Sequence, residues 1–170
     1  ELVKGTWPTE KHHIVLVLDK NNEITDITMH ALGLATTDKL INDTIAAQRG
    51  EQVQQTDASY TYEEIMAIPL KLICSPDYYV DSDKDGVWED ISKNKDSMDV
   101  IISKGIDLEI CGIIRPIEDA KTTLPAALYY THSLAEYIID YTNNSDIAKA
   151  QRLEENKNKD IFTGLPFTVD

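Results

Sequence analysis

Apolar positions along the chain fall into two patterns. Residues 13–19 (HIVLVLD) form a continuous apolar run of strand length, the signature of a strand covered on both faces. Residues 108–114 (LEICGII) repeat that pattern and stop at Arg115-Pro116. Residues 127–131 (ALYYT) read as a further strand. Residues 70–75 (LKLICS) predict a strand that 77–80 (DYYV) continues past Pro76, and 87–91 (VWEDI) return it. With the polar turn 81–86 between them, these segments predict a β-hairpin.

Elsewhere the spacing is helical. Thr25 or Asp26 can cap a short helix through Leu32, and Gly33 is placed to end it in the left-handed conformation. Thr37 or Asp38 can cap a second, with Leu40, Ile41, Thr44, Ile45 and Gln48 on one stripe and Gly50 as terminator. Thr61 and Glu64 have capping-box spacing before a helix that Pro69 closes. Asp96 can cap a helix through Lys104, with Met98, Ile101 and Ile102 toward the core and Gly105 at its end. Ser133 and Glu136 form a second capping box, and that helix presents Leu134, Ile138 and Tyr141. Ser145 caps a polar helix over 146–157. Residues 1–12 read as an irregular lead-in, 51–60 as an edge strand or loop, 117–126 as a mobile loop, and 160–170 as an irregular docked tail. The sum is an α+β fold, a mixed sheet with short helices and an inserted β-hairpin.

Composition narrows the partners. With 170 residues, 42% of them hydrophobic, the chain can bury a core and is not a disordered tract. Thirty acidic against 16 basic residues give a formal charge of −14. Such a surface repels nucleic-acid phosphates and anionic lipid headgroups, so no nucleic-acid partner is expected. It suits solubility, cation attraction or a basic partner. No apolar run approaches the roughly 20 residues that cross a bilayer. The opening ELVKGTWP lacks the basic-then-apolar pattern of a signal peptide, and Glu1 in place of Met suggests an excised piece. Cys74 and Cys111 each lie in an apolar run, which reads as two buried thiols, or as a disulfide if those strands are neighbours.

Few residues carry recognisable chemistry. Asp81, Asp83 and Asp85 with Gly86 follow the first half of a calcium loop, and Glu89 falls at its ninth position. Ser92 stands where a bidentate Glu belongs, and the flanks are strands rather than helices. The alternative is a polar hairpin turn built on Asp85-Gly86. His12-His13 suggest a metal, but neighbours on a strand point to opposite faces, so one ion cannot easily take both. There is no G-x-S-x-G elbow, phosphate-binding glycine loop or H-E-x-x-H, and both cysteines lack an electropositive setting. Tyr78-Tyr79 and Tyr129-Tyr130 each place one ring toward the core and one toward solvent. No catalytic residue and no bound cofactor is expected; calcium is the one candidate.

Two stretches resemble a known family. Residues 3–34 (VKGTWPTEKHHIVLVLDKNNEITDITMHALGL) are similar to a pattern in the extracytoplasmic domains of FtsX-like ABC-transporter permeases, the MacB-like periplasmic core domain. There a Gly, an aromatic and a Pro precede a hydrophobic strand, a short helix and Leu-Gly-Leu. LEICGIIRP followed by ALYYTHSLAEYI resembles the family's later strand, variable loop, strand and capped helix, and DIFTGLPF resembles the ending of large Gram-positive permeases. Residues 51–105 would be an inserted subdomain in a single extracytoplasmic domain. The resemblance implies a non-enzymatic role at the extracellular face of a cell membrane, within a membrane-anchored parent. ATP hydrolysis would occur on a separate ATPase subunit or domain. The outer domain would act in export of peptides or lipids, lipoprotein release, or peptide sensing. The alternative is a free-standing secreted binding module, stabilised by calcium.

Overall fold

In the computed structural model the chain runs β1 (Leu2–Gly5), β2 (His13–Val17), α1 (Asp26–Ala31), α2 (Thr37–Gln48), α3 (Tyr62–Met66), β3 (Leu70–Leu72), β4 (Tyr79–Val80), β5 (Glu89–Asp90), α4 (Lys95–Lys104), β6 (Ile106–Ile114), β7 (Ala127–Tyr130), α5 (His132–Asn144) and α6 (Asp146–Gln151). Short 3-10 turns cover Ser75–Tyr78 and Glu154–Asn156. The structure describes residues 1–52, 58–121 and 124–167. The fold is α+β with a mixed sheet and short helices. Two compact units divide it: residues 1–70 with 108–131, and residues 71–107 with 132–170.

The first unit is organised by its sheet, in the order β1-β6-β2-β7. β2 lies between two partners, parallel to β6 and antiparallel to β7. That placement explains its unbroken apolar run: Ile14 to Leu18 are all buried, because a central strand loses solvent on both faces. Ile110 and Ile113 on β6 are 1% and 0% exposed. Thr28, Met29 and Leu32 of the α1 region and Ile65 of α3 add to this core. The lead-in is not irregular: β1 pairs antiparallel with β6, and Gly5 faces Gly112. An added Cβ at Gly112 would sit 2.4 Å from the Thr6 carbonyl oxygen, and one at Gly5 2.1 Å from the Cys111 carbonyl oxygen. Only glycine permits that approach, so β1 and β6 close on each other at this point.

The caps follow the sequence closely in this unit. Thr25 Oγ1 accepts from the Thr28 N–H, and Gly33 follows the helix at φ +72°. Thr61 and Glu64 form the capping box before α3. α2 starts one residue earlier than expected, with Thr36 accepting from the Lys39 N–H. Its stripe is not a core face: α2 has no buried residue, and Ile41 and Ile45 are exposed. Residues 53–57 and 122–123, within the expected edge strand and mobile loop, lie outside the described residues.

The second unit has short strands. β4 and β5 pair antiparallel, Tyr79 with Asp90 and Val80 with Glu89. The hairpin is present, with these two pairs and a backbone bond from the Ile91 N–H to the Tyr78 carbonyl at 2.8 Å. The strand expected over 70–75 ends at Leu72, because Ser75–Tyr78 turn as a 3-10 helix with Pro in its first turn. Proline's fixed φ suits a helix start and cannot donate to a ladder. α4 is capped by Asn94, whose Oδ1 accepts from the Ser97 N–H, and Asp96 lies inside the first turn. Ile101 is buried, but Ile102 is 43% exposed. α5 begins at His132, so Ser133 is within its first turn rather than its cap. Leu134 is buried and Tyr141 is 38% exposed. Ser145 caps α6, which is shorter than the expected 146–157 and is followed by the second 3-10 turn. In the tail Ile161 is buried, while Phe162, Leu165 and Phe167 are exposed.

Candidate functional site

The sequence placed its one candidate ligand set in the hairpin loop. Asp81 Oδ2 accepts from the Gly86 N–H at 3.2 Å, and Asp85 Oδ1 accepts from the Val87 N–H at 2.9 Å. Lys84 and Gly86 take positive φ, +57° and +83°, which folds the loop back. Asp81 Oδ1 is shielded from solvent and accepts no hydrogen bond. Asp81 and Asp85 thus serve the loop's own backbone, Asp85 as an Asx turn does. Among the described residues, the set of three metal-ligand side chains whose donor atoms all lie within 4.8 Å is elsewhere, so no three of Asp81, Asp83, Asp85 and Glu89 are gathered in that way. Calcium at this loop rests on sequence spacing alone.

The gathered set is His12, His13 and Glu109. Three local features build it. Residues 11–12 form a turn, and β2 begins only at His13. The alternation rule that set the two imidazoles on opposite faces therefore does not apply to this pair. Their ring centroids are 4.7 Å apart, edge to face. Parallel pairing then sets His13 opposite Glu109 on β6, and the Glu109 N–H donates to the His12 carbonyl at 3.0 Å. His13 Nε2 is 3.8 Å from Glu109 Oε2, with the imidazole mostly buried and the carboxylate mostly exposed.

The other nitrogen of His13 is also engaged. Nδ1 accepts from the Thr9 and Glu10 backbone N–H groups, each at 3.2 Å. A neutral ring accepting at Nδ1 carries its proton at Nε2, facing Glu109. The imidazole therefore caps the 9–13 turn from one side and addresses a carboxylate from the other. The adjacent histidines were legible; their convergence depended on the turn at 11–12 and on the β2–β6 register, neither of which a single sequence reveals.

The nucleophile candidates are quiet. Both cysteines are free and buried. Burial raises the Cys74 thiol pKa, with the nearby Asp77 charge adding to it; burial and the Glu109 charge do the same for Cys111. A raised thiol pKa keeps sulfur in its unreactive protonated form. Asp77 holds its surroundings by two bonds: Oδ2 accepts from the Cys74 N–H at 3.1 Å and Oδ1 accepts from the Tyr141 hydroxyl at 2.5 Å. That hydroxyl is pushed up to about 12 by its hydrogen bond to Asp77, so it is a fixed donor at neutral pH and not a base.

No family model, curated protein or solved structure matches the chain. Among the described residues, no helix is long and apolar enough to cross a membrane.

Proposed function

We propose that the chain is a non-catalytic extracytoplasmic domain of an FtsX-like ABC-transporter permease, of the MacB-like type. It would couple the motion of a partner ATPase to export or sensing of peptides, lipids or lipoproteins through protein contacts. The observation that supports this reading is where the two resembling stretches lie. Residues 3–34 supply β2 and α1, and 108–116 with 127–138 supply most of β6, β7 and the start of α5. Although far apart in sequence, β2, β6 and β7 are consecutive neighbours in one sheet. Motifs that form a single frame are better evidence of kinship than motifs scattered over unrelated elements.

The test is the native gene on either side of this segment. Hydrophobic segments of about 20 residues on both sides, with an ATPase encoded in the same chain or next to it, are the expected result. A secretory signal before residue 1 and a stop codon after residue 170 would overturn the reading and favour the secreted module.

A further inference from the structure

The His12–His13–Glu109 set is not used by that function, and its chemistry is specific. Two imidazoles and one carboxylate are a donor set for a borderline divalent ion of the zinc class, whereas calcium and magnesium prefer all-oxygen shells. The donor atoms already lie within 4.8 Å of one another, and tetrahedral bonds of roughly 2.0–2.2 Å span donors about 3.3–3.6 Å apart. Binding asks these donors to close by no more than about 1.5 Å. The exposed Glu109 carboxylate gives the ion an entry path. The net charge of −14 raises the local concentration of any cation.

His13 makes such a site more than a passive one. A metal-bound imidazole carries its remaining proton on the other nitrogen, where it normally meets an acceptor. Here Nδ1 faces two donors, the Thr9 and Glu10 N–H groups, and the Thr9 hydroxyl at 3.5 Å is the neighbour able to accept. With metal at Nε2, the ring loses its Nε2 proton to solvent and takes one up at Nδ1, staying neutral. An N–H at Nδ1 cannot accept from Thr9 or Glu10. The turn's two amides must then find water, or the ring must swing away from them.

We propose that His12, His13 and Glu109 form a zinc-class site whose loading loosens the Thr9–His13 turn. The free form holds the turn through Nδ1 and through the His13 N–H bond to the Glu10 carbonyl; loading removes the first of these. The site has three protein ligands, which leaves a fourth position for water or for a donor from a bound partner. The inference stands independently of the transporter reading.

The experiment is a titration of zinc chloride into the metal-stripped wild-type chain at neutral pH, read by calorimetry and by amide hydrogen exchange. Saturable binding of one equivalent is expected, weakened at least about tenfold in Glu109→Gln and in His12→Ala. Both substitutions lie outside the buried core, and circular dichroism of each variant confirms the fold. Faster exchange at the Thr9 and Glu10 amides is expected only in the loaded wild type. Absence of saturable binding, or binding unchanged in both variants, would overturn the site. Binding with the Thr9 and Glu10 amides still protected would overturn the coupling.

Discussion

The first unit gathers most of its buried apolar side chains on adjoining strands, while the second spreads them one to an element. Ile14 to Leu18 and Ile110 to Ile113 stack along β2 and β6, interrupted only by Gly112. In the second unit Cys74, Ile101, Leu134 and Ile161 come from four separate segments. Specific polar ties stand beside that thinner core: Asp77 to Cys74 and Tyr141, Lys71 to Asp107, and the backbone bond from Trp88 to Ile161. A continuous apolar strand pair tolerates little change in volume. A unit held at scattered points should respond more to loss of single hydrogen bonds.

Substitutions can break or sharpen that contrast. Ile113→Ala should cost the most, about 4 kcal/mol, because the side chain has no exposure and its neighbours are strands that cannot collapse inward. Denaturant unfolding checks this; a loss under about 1 kcal/mol would mean that the strand pair is not the stability centre. Gly112→Val should cost about 3 kcal/mol, since the new Cβ meets backbone oxygen at 2.4 Å and β1 must move off β6. An unchanged melting temperature would refute that close approach. In the second unit Ile101→Ala should cost about 2 kcal/mol, whereas its neighbour Ile102→Ala should cost under about 0.5 kcal/mol, as one is buried and the other exposed. Equal losses would put both on the packed face of α4.

The effect expected at Tyr141 is smaller than that at Ile101 and more specific. Tyr141→Phe should cost about 1 kcal/mol, less than a buried charged hydrogen bond because the residue is 38% exposed. Its pH dependence identifies the bond. An unfolded Tyr ionises near pH 10, and the folded one at about 12. Below pH 10 both states hold the proton and the contribution is complete. As pH rises from 10 to 12 the unfolded state alone releases it, so stability falls across that window. The wild type should show this loss and Tyr141→Phe should not; parallel alkaline profiles would dismiss the Asp77 bond as an energetic tie.

The legibility of the sequence follows the same division. β2 was readable because burial on both faces removes polar residues from the whole run. The caps at Thr25, Thr61 and Ser145 were readable because each depends on residues three apart. What could not be read depended on distant partners or on competition between near-equal caps. Asn94 and Asp96 both suit an N-cap, and Asn94 takes it, leaving Asp96 to favour the helix dipole from the first turn. Ser133 lost its capping place because α5 starts a residue sooner. The Leu40–Gln48 stripe has helical period, yet period says nothing about whether another element arrives to cover it. The His12–His13–Glu109 meeting needed a register between strands nearly a hundred residues apart, which local pattern does not encode.

That separation also sets an order of events at synthesis. Ile14 pairs with Ile110 and Tyr130, so β2 leaves the ribosome long before either partner exists. Parallel pairing over such a loop is slow, because its closure entropy must be met before any contact rewards it. Until β6 and β7 arrive, the segment IVLVL is an uncharged, wholly apolar strand with both edges open. A nascent chain stalled before residue 110 should therefore recruit chaperones at this segment, and one stalled after residue 131 should not.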